Sequence, residues 1–172
     1  MTDWKLEEFE VPEVEEKDRF HDFALPKPLM RAIAELGYEY CTPIQSKTLP
    51  FALSDYDVTG QAQTGTGKTA AFLIAVFTRC WEMPLEEERP RGSPRALVLA
   101  PTRELALQIE SDAKDLSKYM DARTVCVVGG MDLQKQQDKL EKKPLDLLVA
   151  TPGRLIDFLD RNKISLRHVE VL

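Results

Sequence analysis

Apolar positions recur with two different periods along this chain. In the first half the period is helical. Leu29, Ile33 and Leu36 fall on one helix face, with Pro28 suited to its first turn and Gly37 to its stop. Thr42-Pro43 opens a second helix, and Pro50 is placed to interrupt or bend it. Asp57-Val58-Thr59 reads as a short strand. Residues 70–77, Ala-Ala-Phe-Leu-Ile-Ala-Val-Phe, are apolar on all sides, the pattern of a helix buried against a sheet. Met83 to Pro94 breaks the pattern with three prolines, a glycine and the run Glu86-Glu87-Glu88, and reads as an exposed loop.

Beyond Pro94, short continuous apolar runs alternate with helical periods. Strands are predicted at Ala96–Ala100, Thr124–Val128 and Leu145–Ala150, with one more starting at Val169–Leu172. Helices are predicted at Arg103–Tyr119, Asp132–Leu140 and Gly153–Arg161. In the longest of these, Leu105, Ile109, Ala113 and Leu116 share a face. Strands that are apolar throughout are covered on both faces. Alternating strands and helices then imply an α/β fold: a parallel, doubly wound sheet with helices on both faces. Such sheets bind ligands beyond the carboxyl ends of their strands. The loops after Val58, Ala100, Val128 and Ala150 are therefore expected to converge on one edge.

Composition narrows the class. A chain of 172 residues that is 43% hydrophobic can build one ordinary core. Cys41, Cys80 and Cys126 are scattered, which argues for a reducing compartment and against a disulfide framework or zinc site. No apolar run reaches the length that spans a bilayer, and the acidic start is unlike a signal peptide, so a cytoplasmic protein without a membrane role is expected. The net charge of −6 is uneven. Residues 1–19 carry eight acidic and three basic side chains, so −5 of the total belongs to them and −1 to the rest. Residues 1–19 are expected to be an acidic flexible arm, or to dock Trp4, Leu6, Phe9 and Val11 on a partner. The nearly neutral body, residues 20–172, can still present a local basic groove to RNA. Lys142-Lys143, like the Glu86 run, reads as plain solvated charge.

Candidate chemistry centres on Gly60-Gln-Ala-Gln-Thr-Gly-Thr-Gly-Lys-Thr69. A Gly-rich turn ending in Lys-Thr at a helix start is a phosphate cradle: backbone N–H groups and the helix dipole both face the anion. Gln63, Thr64, Gly65, Thr66 and Gly67 form the turn. Lys68 reaches β- and γ-phosphates and the Thr69 hydroxyl can hold Mg²⁺. The strict pattern has Gly where this chain has Ala62. A nucleoside triphosphate is the expected ligand.

Ala62–Thr69 resembles motif I of the DEAD-box RNA helicases, and further elements follow the order of that family. Phe20 stands 17 residues before Gly37, which opens Gly-Tyr-Glu-Tyr-Cys-Thr-Pro-Ile-Gln45, similar to the Q motif with its upstream aromatic. Pro101-Thr-Arg-Glu-Leu-Ala106 is similar to motif Ia, Gly129-Gly130 to the GG element and Thr151-Pro-Gly-Arg154 to motif Ib. The resemblance spans residues 20–154 and implies a partial N-terminal RecA-like domain that binds ATP with Mg²⁺. A carboxamide at Gln45 can pair with adenine N6 and N7, and Phe20 can stack on the base or serve as a core aromatic. The resemblance assigns Pro101, Thr102, Arg103, Gly129, Gly130, Thr151, Pro152, Gly153 and Arg154 to the backbone of one RNA strand, read without base identity. Taken singly, each arginine suits an ordinary ion pair equally well.

The resemblance also implies that the Asp-Glu-Ala-Asp element would come next after Val-Glu-Val-Leu172, and the second RecA-like domain after that. The parent is then an ATP-dependent RNA helicase that remodels RNA in decay or metabolism, with a protein partner such as an RNA-decay complex. Two other readings stand beside it: a P-loop enzyme acting on a small molecule, and a non-catalytic adaptor that binds through the acidic arm. On the helicase reading the 172-residue chain is expected to show no RNA-stimulated ATP hydrolysis above background. Turnover at helicase-like rates in a phosphate-release assay would overturn that.

Overall fold

The computed structural model describes residues 4–83 and 89–172. Its order is α1 (Lys27–Glu35), α2 (Pro43–Ala52), α3 (Lys68–Glu82), β1 (Ala96–Leu99), α4 (Arg103–Leu116), β2 (Thr124–Val127), α5 (Leu133–Lys142), β3 (Leu147–Ala150) and α6 (Pro152–Asp160). Two compact units emerge, one of residues 1–82 with 115–120, the other of 83–114 with 121–172.

The first unit is helical. Leu29 and Ile33 of α1, Leu49 of α2, and Leu73, Ile74 and Phe77 of α3 are fully buried. Two of the three residues of the expected α1 face are thus buried, whereas Leu36, just past the helix end, is exposed; α3 packs on α1 and α2 within this unit. Thr42 caps α2, where Gln45 Oε1 accepts the Thr42 N–H at 2.8 Å. The helix continues through Pro50 to Ala52. The expected strand at residues 57–59 does not form. Residues 56–63 are irregular and Val58 is exposed, because no neighbouring strand is there to take up its backbone groups.

Residues 1–19, expected as a flexible arm, are docked from Lys5 onward. Val11 is buried, and the Arg19 guanidinium donates to the Val11 carbonyl at 3.2 Å while pairing with Glu13 and Asp22. Hydrogen bonds from the Arg19 side chain, then its backbone, hold the Asp22 carboxyl below the usual carboxylate range. Tyr40 Oη donates to the Pro12 carbonyl at 2.9 Å, and His21 stacks on Phe9 with ring centroids 4.9 Å apart. The described carboxylates of this segment stay exposed. Composition registers those charges, whereas the anchors are backbone carbonyls and one arginine.

The second unit holds a parallel sheet of order β1-β3-β2. Leu97 pairs with Leu148 and Leu148 with Val125; Leu99 pairs with Ala150 and Ala150 with Val127. Leu97, Leu148, Val125, Ala150 and Val127 join Leu140 of α5 and Leu155 and Phe158 of α6 in one buried cluster. Central β3 is buried along its whole length, as its apolar run requires. The expected strand at 169–172 is reduced to one bridge, Val171 beside Ala96, with the Leu97 N–H donating to the Val171 carbonyl. Helix α4 ends at Leu116 rather than Tyr119.

Of the loop expected at Met83–Pro94, the Glu86-Glu87-Glu88 run lies outside the described residues. Its second half is tied down. Arg89 pairs with Asp146 at 2.9 Å and donates to the Leu145 carbonyl at 2.6 Å. Gly92 has φ +74°, and a β-carbon there would fall well inside contact of the Lys163 carbonyl. Gly92→Ala is expected to cost at least about 2 kcal/mol, from left-handed strain plus the clash. Thermal unfolding should show a midpoint lower by roughly 4–8 °C for a chain of this size.

Candidate nucleotide loop and nucleic-acid face

The loop before α3 is built on glycine conformations. Gly65 and Gly67 have φ +78° and +88°. A β-carbon at Gly67 would lie 2.5 Å from Gln45 Nε2 and 3.1 Å from Thr42 Oγ1, so only glycine fits between this loop and α2. Gln45 is buried and spans the gap, its amide donating to the Gly67 carbonyl at 3.1 Å while its oxygen takes the Thr42 N–H. One carboxamide thus joins the α2 cap to the loop. The first N–H groups of α3, from Lys68 and Thr69 on, have no intrahelical acceptor and suit an anion. Lys68 turns back on its own loop, its ammonium donating to the carbonyls of Ala62 and, at 2.6 Å, Gln63. The Thr66 hydroxyl also donates to the Gln63 carbonyl, at 2.8 Å. Residues Gln63, Thr64 and Gly65 are exposed, and Thr69 is half-buried.

Phe20 is fully buried, 6.3 Å from the Tyr38 ring, which is the core placement that residue type alone left open. Burial, then the charges of Asp18 and Asp22, push the Cys41 thiol beside the cap up to about 12, which disfavours its thiolate form.

In the second unit three loops leave the carboxyl ends of the parallel strands. The ladder continues into them, since the Ala100 N–H donates to the Ala150 carbonyl and the Thr151 N–H to the Val127 carbonyl. Thr102 starts α4 with its hydroxyl accepting the Leu105 N–H at 3.3 Å, and Pro101 and Arg103 beside it are exposed. Arg103 reaches the glycine turn: a β-carbon at Gly130, where φ is +71°, would lie 3.3 Å from its Nη1. Arg154, in the first turn of α6, sets both Nη atoms 3.4 Å from the Met131 carbonyl and lies across the Phe158 ring. The sheet edge therefore brings Arg103, Gly130 and Arg154 around one short turn, Arg103 exposed and Arg154 largely buried with its guanidinium 3.9 Å from the Asp157 carboxylate. Such a surface can hold a phosphodiester chain without selecting bases. Thr151 caps α6, with Pro152 and Gly153 exposed behind it. A β-carbon at Gly129 or Gly153 would meet nothing within 4 Å, so packing does not require glycine at either place.

Comparison with known proteins identifies the family. The family model described as "DEAD/DEAH box helicase" matches residues 42–172. The chain belongs to that family. It is 54% identical over 158 residues to the ATP-dependent RNA helicase RhlB of Pseudomonas syringae, covering 92% of this chain and 40% of the relative. It is 47% identical over 156 residues to the RhlB of Yersinia pestis, covering 91% and 36%. The crystal structure of the RNA helicase Prp28 from Chaetomium thermophilum, bound to ADP, superposes with a TM-score of 0.77 at 37% identity, covering 88% of this chain and 36% of that one. The chain thus spans about two fifths of the length of these relatives. The α/β fold expected from the alternation, and the DEAD-box resemblance expected from the motifs, both hold.

Within this DEAD-box chain, motif reading missed Gln136. It is 3% exposed on α5, on the same face as Leu133 and Leu140. A polar residue at a position where the helical period calls for an apolar one was the available signal. The open space around Gly153 also carries an expectation. Gly153→Ala near the start of α6 should stabilise the fold by up to about 1 kcal/mol, on helix propensity. A fall in the unfolding midpoint, in calorimetry, would show instead that packing needs the glycine.

Proposed function

We propose that this chain is the ATP- and RNA-binding front of an ATP-dependent DEAD-box RNA helicase. The grouping of Arg103, Gly130 and Arg154 around one turn, in a chain so similar to proteins named RNA helicases, carries the reading. Bound ATP supplies the phosphoanhydride whose cleavage drives the cycle. The chain's own residues bind and orient it. Lys68 exchanges the carbonyls of Ala62 and Gln63 for phosphate oxygens, a favourable trade of neutral for charged acceptors. The backbone N–H groups of Gln63, Thr64, Gly65, Thr66 and Gly67, the first three exposed, would cradle the same anion, and the Thr69 hydroxyl would hold Mg²⁺. Among the described residues no cluster of three or more His, Cys, Asp or Glu side chains is placed to hold a metal, and Thr69 is the ligand this chain would offer to Mg²⁺ on the nucleotide. Gln45 keeps one amide hydrogen and one oxygen lone pair beyond its loop and cap bonds, which match adenine N7 and N6.

RNA lies along the second unit's sheet edge. Arg103 and Arg154 meet phosphates, Gly129, Gly130 and Gly153 offer backbone N–H groups, and Thr102 and Thr151 flank them. Among the described residues no helix is long and apolar enough to cross a membrane. Cys41, Cys80 and Cys126 form no disulfide, which is compatible with a reducing, cytoplasmic setting, and a protein partner from RNA decay is part of the proposal.

The test is RNA affinity as a function of salt. Replacing both Arg103 and Arg154 by Ala should weaken a labelled single-stranded oligo(U) uniformly and reduce the log–log salt slope by about 1.4, the loss of two single-strand phosphate contacts. Lys68→Ala should leave that slope alone and lower the affinity of a fluorescent ADP analogue by about tenfold or more. An unchanged slope in the double variant would remove RNA from this face.

A further inference from the structure

Gln136 belongs to none of the motifs, yet its side chain is spent on one of them. Its Oε1 accepts the Val128 N–H at 2.7 Å. Its Nε2 lies 3.2 Å from the Val128 carbonyl, 3.3 Å from that of Met131 and 3.2 Å from that of Asp132. The two amide hydrogens are therefore shared among three acceptors. Val128 precedes the Gly129-Gly130 turn, and Met131 and Asp132 follow it, so a single carboxamide grips both ends of the turn. The turn has little else to define it. Both glycines are exposed, and a β-carbon at Gly129 would touch nothing. Glycine pairs sample more backbone space than any other residues, so such a turn stays in one shape only if its ends are fixed. The Met131 carbonyl that Gln136 bonds is also the one on which Arg154 rests. Orientation of that carbonyl therefore sets the guanidinium as well as the turn.

An apolar side chain of similar volume would fill this space, and Leu133 and Leu140 already supply apolar contact on the same helix face. The carboxamide is what a glycine turn needs and a core does not. We propose that Gln136 is a positioning residue, which holds the Gly129-Gly130 turn and, through the Met131 carbonyl, Arg154 in the geometry that grips RNA. The inference rests on the RNA reading of this face.

Q136M keeps the unbranched shape and volume and removes the hydrogen bonds. It should weaken oligo(U) binding in fluorescence anisotropy by about tenfold, the effect of leaving one or two buried backbone groups unpaired at the binding turn. The fluorescent ADP analogue should bind as in the parent chain. Hydrogen exchange should quicken at Val128–Asp132 while β3 stays protected. A general loss of stability would move β3 as well. Affinity within twofold of the parent, in a preparation where the double Arg103 and Arg154 replacement does weaken binding, would overturn the positioning role. If the double replacement is also silent, the RNA reading of the face has failed and the role falls with it. Should Q136M not fold, the smaller neutral Q136S removes the same bonds without adding charge. Selective RNA loss in Q136S supports the role, whereas failure of both variants to fold overturns it, because Gln136 would then hold the whole unit rather than the turn.

Discussion

Central strand β3 is the constraint on which the candidate nucleic-acid face depends. It is parallel to both neighbours and bonded to each along its length, and the bonds do not stop where the strands stop. Ala100 and Thr151, the first residues beyond β1 and β3, still donate across the ladder, to the carbonyls of Ala150 and Val127. Motif Ia and motif Ib therefore begin from fixed points one strand apart. Short prolines after each, Pro101 and Pro152, then turn the chain into a helix. Parallel pairing matters because it sends three carboxyl ends to the same edge, which an antiparallel arrangement would not do. The core beneath, Leu148 and Ala150 against Phe158 and Leu155, keeps that edge rigid.

The nucleotide loop is governed by a different economy. Its glycines relieve backbone strain, and Gly67 also lets the loop pass close to Gln45. What orders it is a set of hydrogen bonds to its own carbonyls, from Lys68, Thr66 and Gln45. A lysine folded back in this way keeps its charge partly satisfied while phosphate is not in place. The Lys68 ammonium thus shapes the loop, and on the proposed function ligand entry would be an exchange of partners.

Helices and strands were largely legible. The face of α1, the cap at Thr42 and the three apolar strands came from local rules, since burial of an apolar stripe and satisfaction of helix ends act over a few residues. The misplaced pieces share a cause. Asp57-Val58-Thr59 offers one apolar side chain and, among the described residues, no strand pairs with it; strands exist only as partners. Residues 5–19 read as a flexible arm or as a segment docking on a partner; what anchors them is Arg19 and Tyr40 on backbone carbonyls, which every sequence possesses and none advertises. Phe20 shows the same limit, since residue type could not choose between stacking on a base and filling a core.

Residue identity by itself determined the chemistry of this protein: a Gly-rich turn ending in Lys68-Thr69, and arginines beside glycines in loops that follow strands. Those features depend on side-chain type and short spacing, which are written along the chain. Tertiary structure alone decided that Arg103 meets Gly130, that Arg154 rests on Met131 and that Gln136 closes the turn between them. Those contacts join residues brought together by strand order, and strand order follows from the packing of the whole sheet rather than from any local pattern.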